Sequence, residues 1–133
     1  MANPIPTTEQ PAPTPNLLRP CWETFLELRE NEVGVNILVH DECAARDMAG
    51  QAKYGTRLQP HNGRDALRDA YEEVMDACVY TEQFLQECQQ PVLVQQIAEV
   101  QDVLYKAMVR IRRVMLVRDQ QKEKEVVDVT KPT

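Results

Sequence analysis

Toward the C-terminal end of the chain, Leu93, Ile97, Val100, Leu104, Ala107, Ile111 and Val114 recur alternately four and three residues apart. A repeat averaging 3.5 residues draws one apolar line along an α-helix and cannot be satisfied by a strand, whose side chains alternate every two residues. Sustained over three heptads, the pattern predicts a long helix from about Val92 into the lysine-rich end, with a seam of the coiled-coil kind. Pro91 separates it from a second amphipathic segment, about Arg64 to Gln89. There Leu67, Ala70, Val74, Ala77, Cys78, Thr81, Leu85 and Cys88 are read as one stripe. Two long helices joined by a short link pack antiparallel.

These two segments make the expected class all-α: an antiparallel helical bundle. Only four glycines and two phenylalanines stand in 133 residues, against the turns and aromatics of an all-β fold. A further helix is expected from about 35 to 53. Its first part, Val33 to Val39, would read as a strand if taken alone. A short helix is expected among Trp22, Phe25, Leu26 and Leu28. Residues 1–20 hold six of the nine prolines, and proline fixes φ and removes a donor, so a disordered leader is expected there. The organisation that follows is a leader over 1–20, one all-α domain over 21–127 and a frayed tail over 128–133. A chain this short buries a modest core, so the long seam is expected to continue into a homo-oligomer, a dimer or higher.

The net charge of −6 argues against nucleic acid as a partner, since phosphate-backbone binders carry a basic excess. No apolar run approaches membrane-spanning length, and no basic-then-apolar signal opens the chain. Cys21, Cys43, Cys78 and Cys88 form no C-x-x-C pair. With these features the expected compartment is a reducing cytoplasm.

Three groups of residues carry chemistry. Asp69, Glu73 and Asp76 follow one line along the third helix with Glu72 at its edge, and residues 64–90 hold seven acids against Arg64 and Arg68. Like charges at these spacings repel, and a bound cation would offset the repulsion. Mg²⁺, which takes carboxylates together with phosphate oxygens, is the cation that suits them. A solvated helix face accounts for the same pattern. Lys106, Arg110 and Arg113 form a basic line on the last helix, suited to phosphate oxygens or to ion pairs across the bundle. Between the helices, residues 54–63 read Tyr-Gly-Thr-Arg-Leu-Gln-Pro-His-Asn-Gly, a polar loop with a strong turn signal.

The segment from Arg46-Asp47 to Tyr80 carries the most information. Lys53-Tyr54-Gly55 closes one helix, and Asp69-Ala70-Tyr71-Glu72-Glu73-Val74-Met75-Asp76 lies inside the next. About a quarter of the chain in this way resembles the small, phage-encoded MazG-like group of all-α nucleoside triphosphate pyrophosphohydrolases. Glu73-Val74-Met75-Asp76 matches the E-x-x-D half of that group's metal motif. For the other half, E-E-x-x-E on an earlier helix, Glu27-Leu28-Arg29-Glu30 gives only E-x-x-E, and Asp41, Glu42 and Asp47 are the other candidates. The resemblance implies Mg²⁺-dependent conversion of a (deoxy)nucleoside triphosphate to monophosphate and pyrophosphate. It implies Glu73 and Asp76 as catalytic metal ligands, with Asp47, Asp69 and Glu72 in support. Lys53, Arg64, Arg110 and Arg113 would meet phosphate, and Tyr54 and His61 would meet the base. A phage protein of this kind would work in the host cytoplasm.

Two other readings fit the same residues. One is a non-catalytic helical protein that binds or sequesters a nucleotide or a nucleotide-derived signal, for which the arginines and Tyr54 matter and the carboxylates do not. The other is a helical adaptor whose apolar seam grips another helix.

Overall fold

The computed structural model describes residues 19–30 and 36–130, the last four of these by backbone alone. The proline-rich leader lies outside the described residues apart from Arg19 and Pro20, and so do residues 131–133. All regular structure among the described residues is helical: α1 (Cys21–Glu30), α2 (Ile37–Tyr54), α3 (Ala66–Glu87) and α4 (Pro91–Thr130). The chain divides between Arg64 and Asp65 into two compact units.

The first unit holds α1, α2 and the loop that follows them. Asn36 caps α2, its side chain accepting from the Val39 amide at 3.1 Å. That acceptor satisfies a donor with no partner inside the helix, and it is why the apolar residues after Asn36 enter a helix rather than a strand. At the other end Gly55 adopts φ 74° and its amide donates to the Gln51 carbonyl at 2.8 Å. Glycine reaches this left-handed conformation without the Cβ clash that other residues meet. The loop then turns back: the Cys21 amide at the start of α1 donates to the Leu58 carbonyl at 2.9 Å.

The second unit is the α3–α4 hairpin. Asp65 caps α3, accepting from the Arg68 amide at 3.1 Å. Pro91 occupies the first position of α4, where its missing N–H and fixed φ cost nothing. The helices run antiparallel. At one end Arg118 donates to Asp65 at 2.7 Å; nearer the link, the Gln101 amide donates to the Cys78 carbonyl and to the Glu82 carboxylate at 3.1 Å. The Gln101 and Gln86 amides hold the Glu82 carboxyl below its ordinary range.

These contacts shift the seam of α4 from the sequence expectation. Ile97, Leu104 and Ile111 are half-buried as anticipated, but Leu93, Val100 and Val114 are 40%, 46% and 54% exposed. The row against α3 instead includes Gln101, Met108, Met115 and Arg118, with Met115 only 2% exposed. Gln101 and Arg118 sit on it because α3 supplies their hydrogen-bond acceptors, and buried polar groups are stable where they are paired. Since Arg118 already stands level with the first residue of α3, the rest of α4 to Thr130 runs on past its partner helix.

Candidate functional site

The first unit is fastened by one arginine. Arg57 donates from Nη2 to Asp47 at 2.7 Å and from Nε to both Asp47 oxygens at 3.2 Å, while Nη1 reaches Glu23 at 3.5 Å. One side chain of the loop thereby ties α2 to α1. Asp47 is 6% exposed. A carboxylate this buried is tolerable because the planar guanidinium meets both its oxygens. Hydrogen bonding to Asp47, together with the charges of Asp47 and Glu23, raises the Arg57 pKa above its already high value. The structure therefore places Asp47, expected to support a metal, in an ion pair with both oxygens engaged. Arg57 is the functional residue that the sequence did not single out. Ten residues and a helix end separate it from Asp47, and no helical periodicity links a loop residue to a helix face.

Other candidates of the first unit lie around the end of α2. Lys53 is exposed in the last turn, with its Nζ 5.2 Å from the centroid of the half-buried Tyr54 ring, a cation–π arrangement. His61 is exposed with φ 59°, and Gly63 follows with φ 84°. Two left-handed residues bracketing Asn62 make the sharp turn signalled by Pro-His-Asn-Gly. Asn62 closes it by accepting from the Arg64 amide at 3.1 Å.

The acidic line belongs to the second unit. Glu73 and Asp76 are exposed on α3, one turn apart, while Asp69 and Glu72 are half-buried. All four lie off the row of Leu67, Val74, Cys78 and Leu85 that packs toward α4. On α4, Arg110 and Arg113 are exposed, and Lys106 is paired with Asp102 at 2.8 Å.

Among the described residues, no three His, Cys, Asp or Glu side chains are grouped so as to hold a metal ion. A closed site of four carboxylates does not fit. Mg²⁺ commonly takes only one or two protein carboxylates, and Glu73 and Asp76 are the pair of the acidic line left exposed on α3.

Comparison with protein-family models, with curated proteins and with solved structures gives no match to this chain. Among the described residues, no helix is long and apolar enough to cross a membrane.

Proposed function

We propose that the chain is a Mg²⁺-dependent (deoxy)nucleoside triphosphate pyrophosphohydrolase with α3 as its working helix. The observation that supports this is the exposure of Glu73 and Asp76 one turn apart on a helix whose other side is committed to α4. The surrounding segment is a helix ending at Tyr54 with Gly55 as its cap, a loop, and a helix capped by Asp65 that carries the acids. In this reading Glu73 and Asp76 hold the ion, and Asp69 and Glu72 add negative potential beside them. Bound Mg²⁺ supplies charge neutralisation on the phosphate oxygens. The carboxylates bind and orient it, and they accept hydrogen bonds from water at the attacked phosphorus.

Because two carboxylates make an open site, the ion and the nucleotide should bind together, with little Mg²⁺ affinity in the absence of triphosphate. The test is incubation of the purified chain with each (deoxy)nucleoside triphosphate and Mg²⁺, assaying pyrophosphate and monophosphate. Glu73→Gln and Asp76→Asn should each lower turnover by about 100-fold or more. Unchanged turnover in both variants would remove the assignment.

A second reading is favoured by the engagement of Asp47 with Arg57, which withdraws one carboxylate from the set that the resemblance implies. In that reading the chain binds a nucleotide without cleaving it. Nucleotide-induced thermal stabilisation without product across the panel would select it.

A further inference from the structure

Within the α3–α4 hairpin, one face of α4 is left uncovered by α3. Along it Val92 and Val103 are each 66% exposed, Leu93 40%, Val100 46%, Val114 54% and Val117 53%. They flank the row that packs on α3 and share one helix face: Leu93, Val100 and Val103 follow at seven and three residues, Val114 and Val117 at three, and Val92, Val103 and Val114 at eleven, about three full turns. Together they expose on the order of 500 Å² of apolar surface, compared with ~800 Å² per partner, a little over half of it apolar, in a standard interface. Single exposed apolar residues need no explanation, but two groups of them on one helix face, Val92 to Val103 and Val114 to Val117 with the exposed Arg110 between, do.

The charges on the same helix say what covers it. From Pro91 to Arg113, both acids, Glu99 and Asp102, precede all four bases, Lys106, Arg110, Arg112 and Arg113. A parallel copy would set base against base. An antiparallel copy sets the acidic half of each helix against the basic half of the other. Pairing about the midpoint between Leu104 and Tyr105 brings Glu99 against Arg110 of the partner subunit and Val92 against Val117 of the partner subunit. Each contact then occurs twice, as two-fold symmetry requires.

We propose that the exposed face of α4 docks on a second copy of this chain in antiparallel register, with Glu99 and Arg110 as reciprocal counter-charges. Arg110 thereby acquires a role different from the phosphate contact its sequence setting suggests. The inference stands on α4 alone and is independent of the nucleotide reading.

Sedimentation of the full chain at micromolar concentration should give a dimer. Val117→Glu should give a monomer with unchanged helical circular dichroism, since Val117 is 53% exposed and meets only the apolar Val92 of the partner subunit. Glu99→Arg should weaken dimerisation by about 10-fold or more through like-charge apposition, and the exchange Glu99→Arg with Arg110→Glu should restore it. A wild-type chain that stays monomeric would overturn the proposal and leave the face to a helix of another protein. A dimer indifferent to Val117→Glu, or an exchange that fails to restore association, would overturn it equally. Turnover measured on the same variants separates the two proposals: loss of the dimer leaves the Glu73–Asp76 chemistry to be judged by pyrophosphate release.

Discussion

The two units of this chain are held together by different physics. The hairpin is built on a repeating apolar row, with Met115 buried and polar contacts at Gln101 and Arg118 fixing its register. The first unit has short helices, and its only buried residue among those described is a carboxylate, Asp47, held by Arg57. An apolar row spreads its stabilisation over many small contacts, so that no single side chain decides it. An ion pair concentrates it in a few directional bonds, and removing one partner leaves a buried charge uncompensated. The first unit should therefore fail at one residue, whereas the hairpin should weaken by degrees.

Arg57→Ala should have the largest effect, about 3–4 kcal/mol, because Asp47 would remain buried without its counter-charge. The expected signature is loss of the α1 and α2 signals in hydrogen exchange with the hairpin still protected. Uniform loss across the chain would show that the two units share one cooperative transition. In the hairpin, Met115→Ala should cost about 2–3 kcal/mol, toward the lower end for a buried large-to-small change, because the neighbouring positions are half-exposed and able to close the space. Denaturant unfolding monitored by circular dichroism ranks the two variants. A larger effect at Met115 than at Arg57 would reverse the comparison.

Asp65 tests the polar part of the hairpin. Its hydrogen bond from Arg118, followed by that from the Arg68 amide, holds its carboxyl below the ordinary range. A group whose folded pKa is lowered contributes stability above its unfolded value and loses that contribution as pH falls through the lowered folded value. Asp65→Ala should cost about 1 kcal/mol at neutral pH, the usual scale of a lost cap. Asp65→Asn keeps a capping acceptor but should flatten the acid-side slope of stability between pH 5 and the lowered value. An unchanged slope would mean that solvent screens the pair, whose aspartate side chain is 43% exposed.

The smallest effects concern two glycines of the first unit and should have opposite signs. Gly50 lies inside α2 with open space where a Cβ would stand, so Gly50→Ala should stabilise by up to about 1 kcal/mol. Gly55 has equally open surroundings but φ 74°, so Gly55→Ala should destabilise by about 1 kcal/mol through the backbone alone. Melting temperatures of the pair read this directly.

Much of the fold was legible because helix periodicity and punctuation are local. The stripes of α3 and α4, Pro91 between them and the glycine- and proline-rich loop over 54–63 are all read within a few residues of where they act; the caps Asn36 and Asp65 are equally local but become evident only in the structure. The acidic line of Asp69, Glu73 and Asp76 was legible for the same reason, as one face of one helix. The seam of α4 was half legible: Ile97, Leu104 and Ile111 belong to it. The exposure of Leu93, Val100 and Val114 depended on which side of α4 meets α3. Hydrophobicity alone does not choose between two adjacent apolar rows. The choice fell to Gln101 and Arg118, whose acceptors lie on another helix.

By itself, then, the sequence determined that this chain is helical, where most of its helices start and stop, and which residues share a helix face. Tertiary structure decided what those faces do. It gave Asp47 to Arg57, set the inner row of α4 against α3 and left the outer row exposed beside a polarised line of charge. The physical reason is range: helix formation answers to neighbours three and four residues away, whereas ion pairing and face selection answer to groups that only folding brings together.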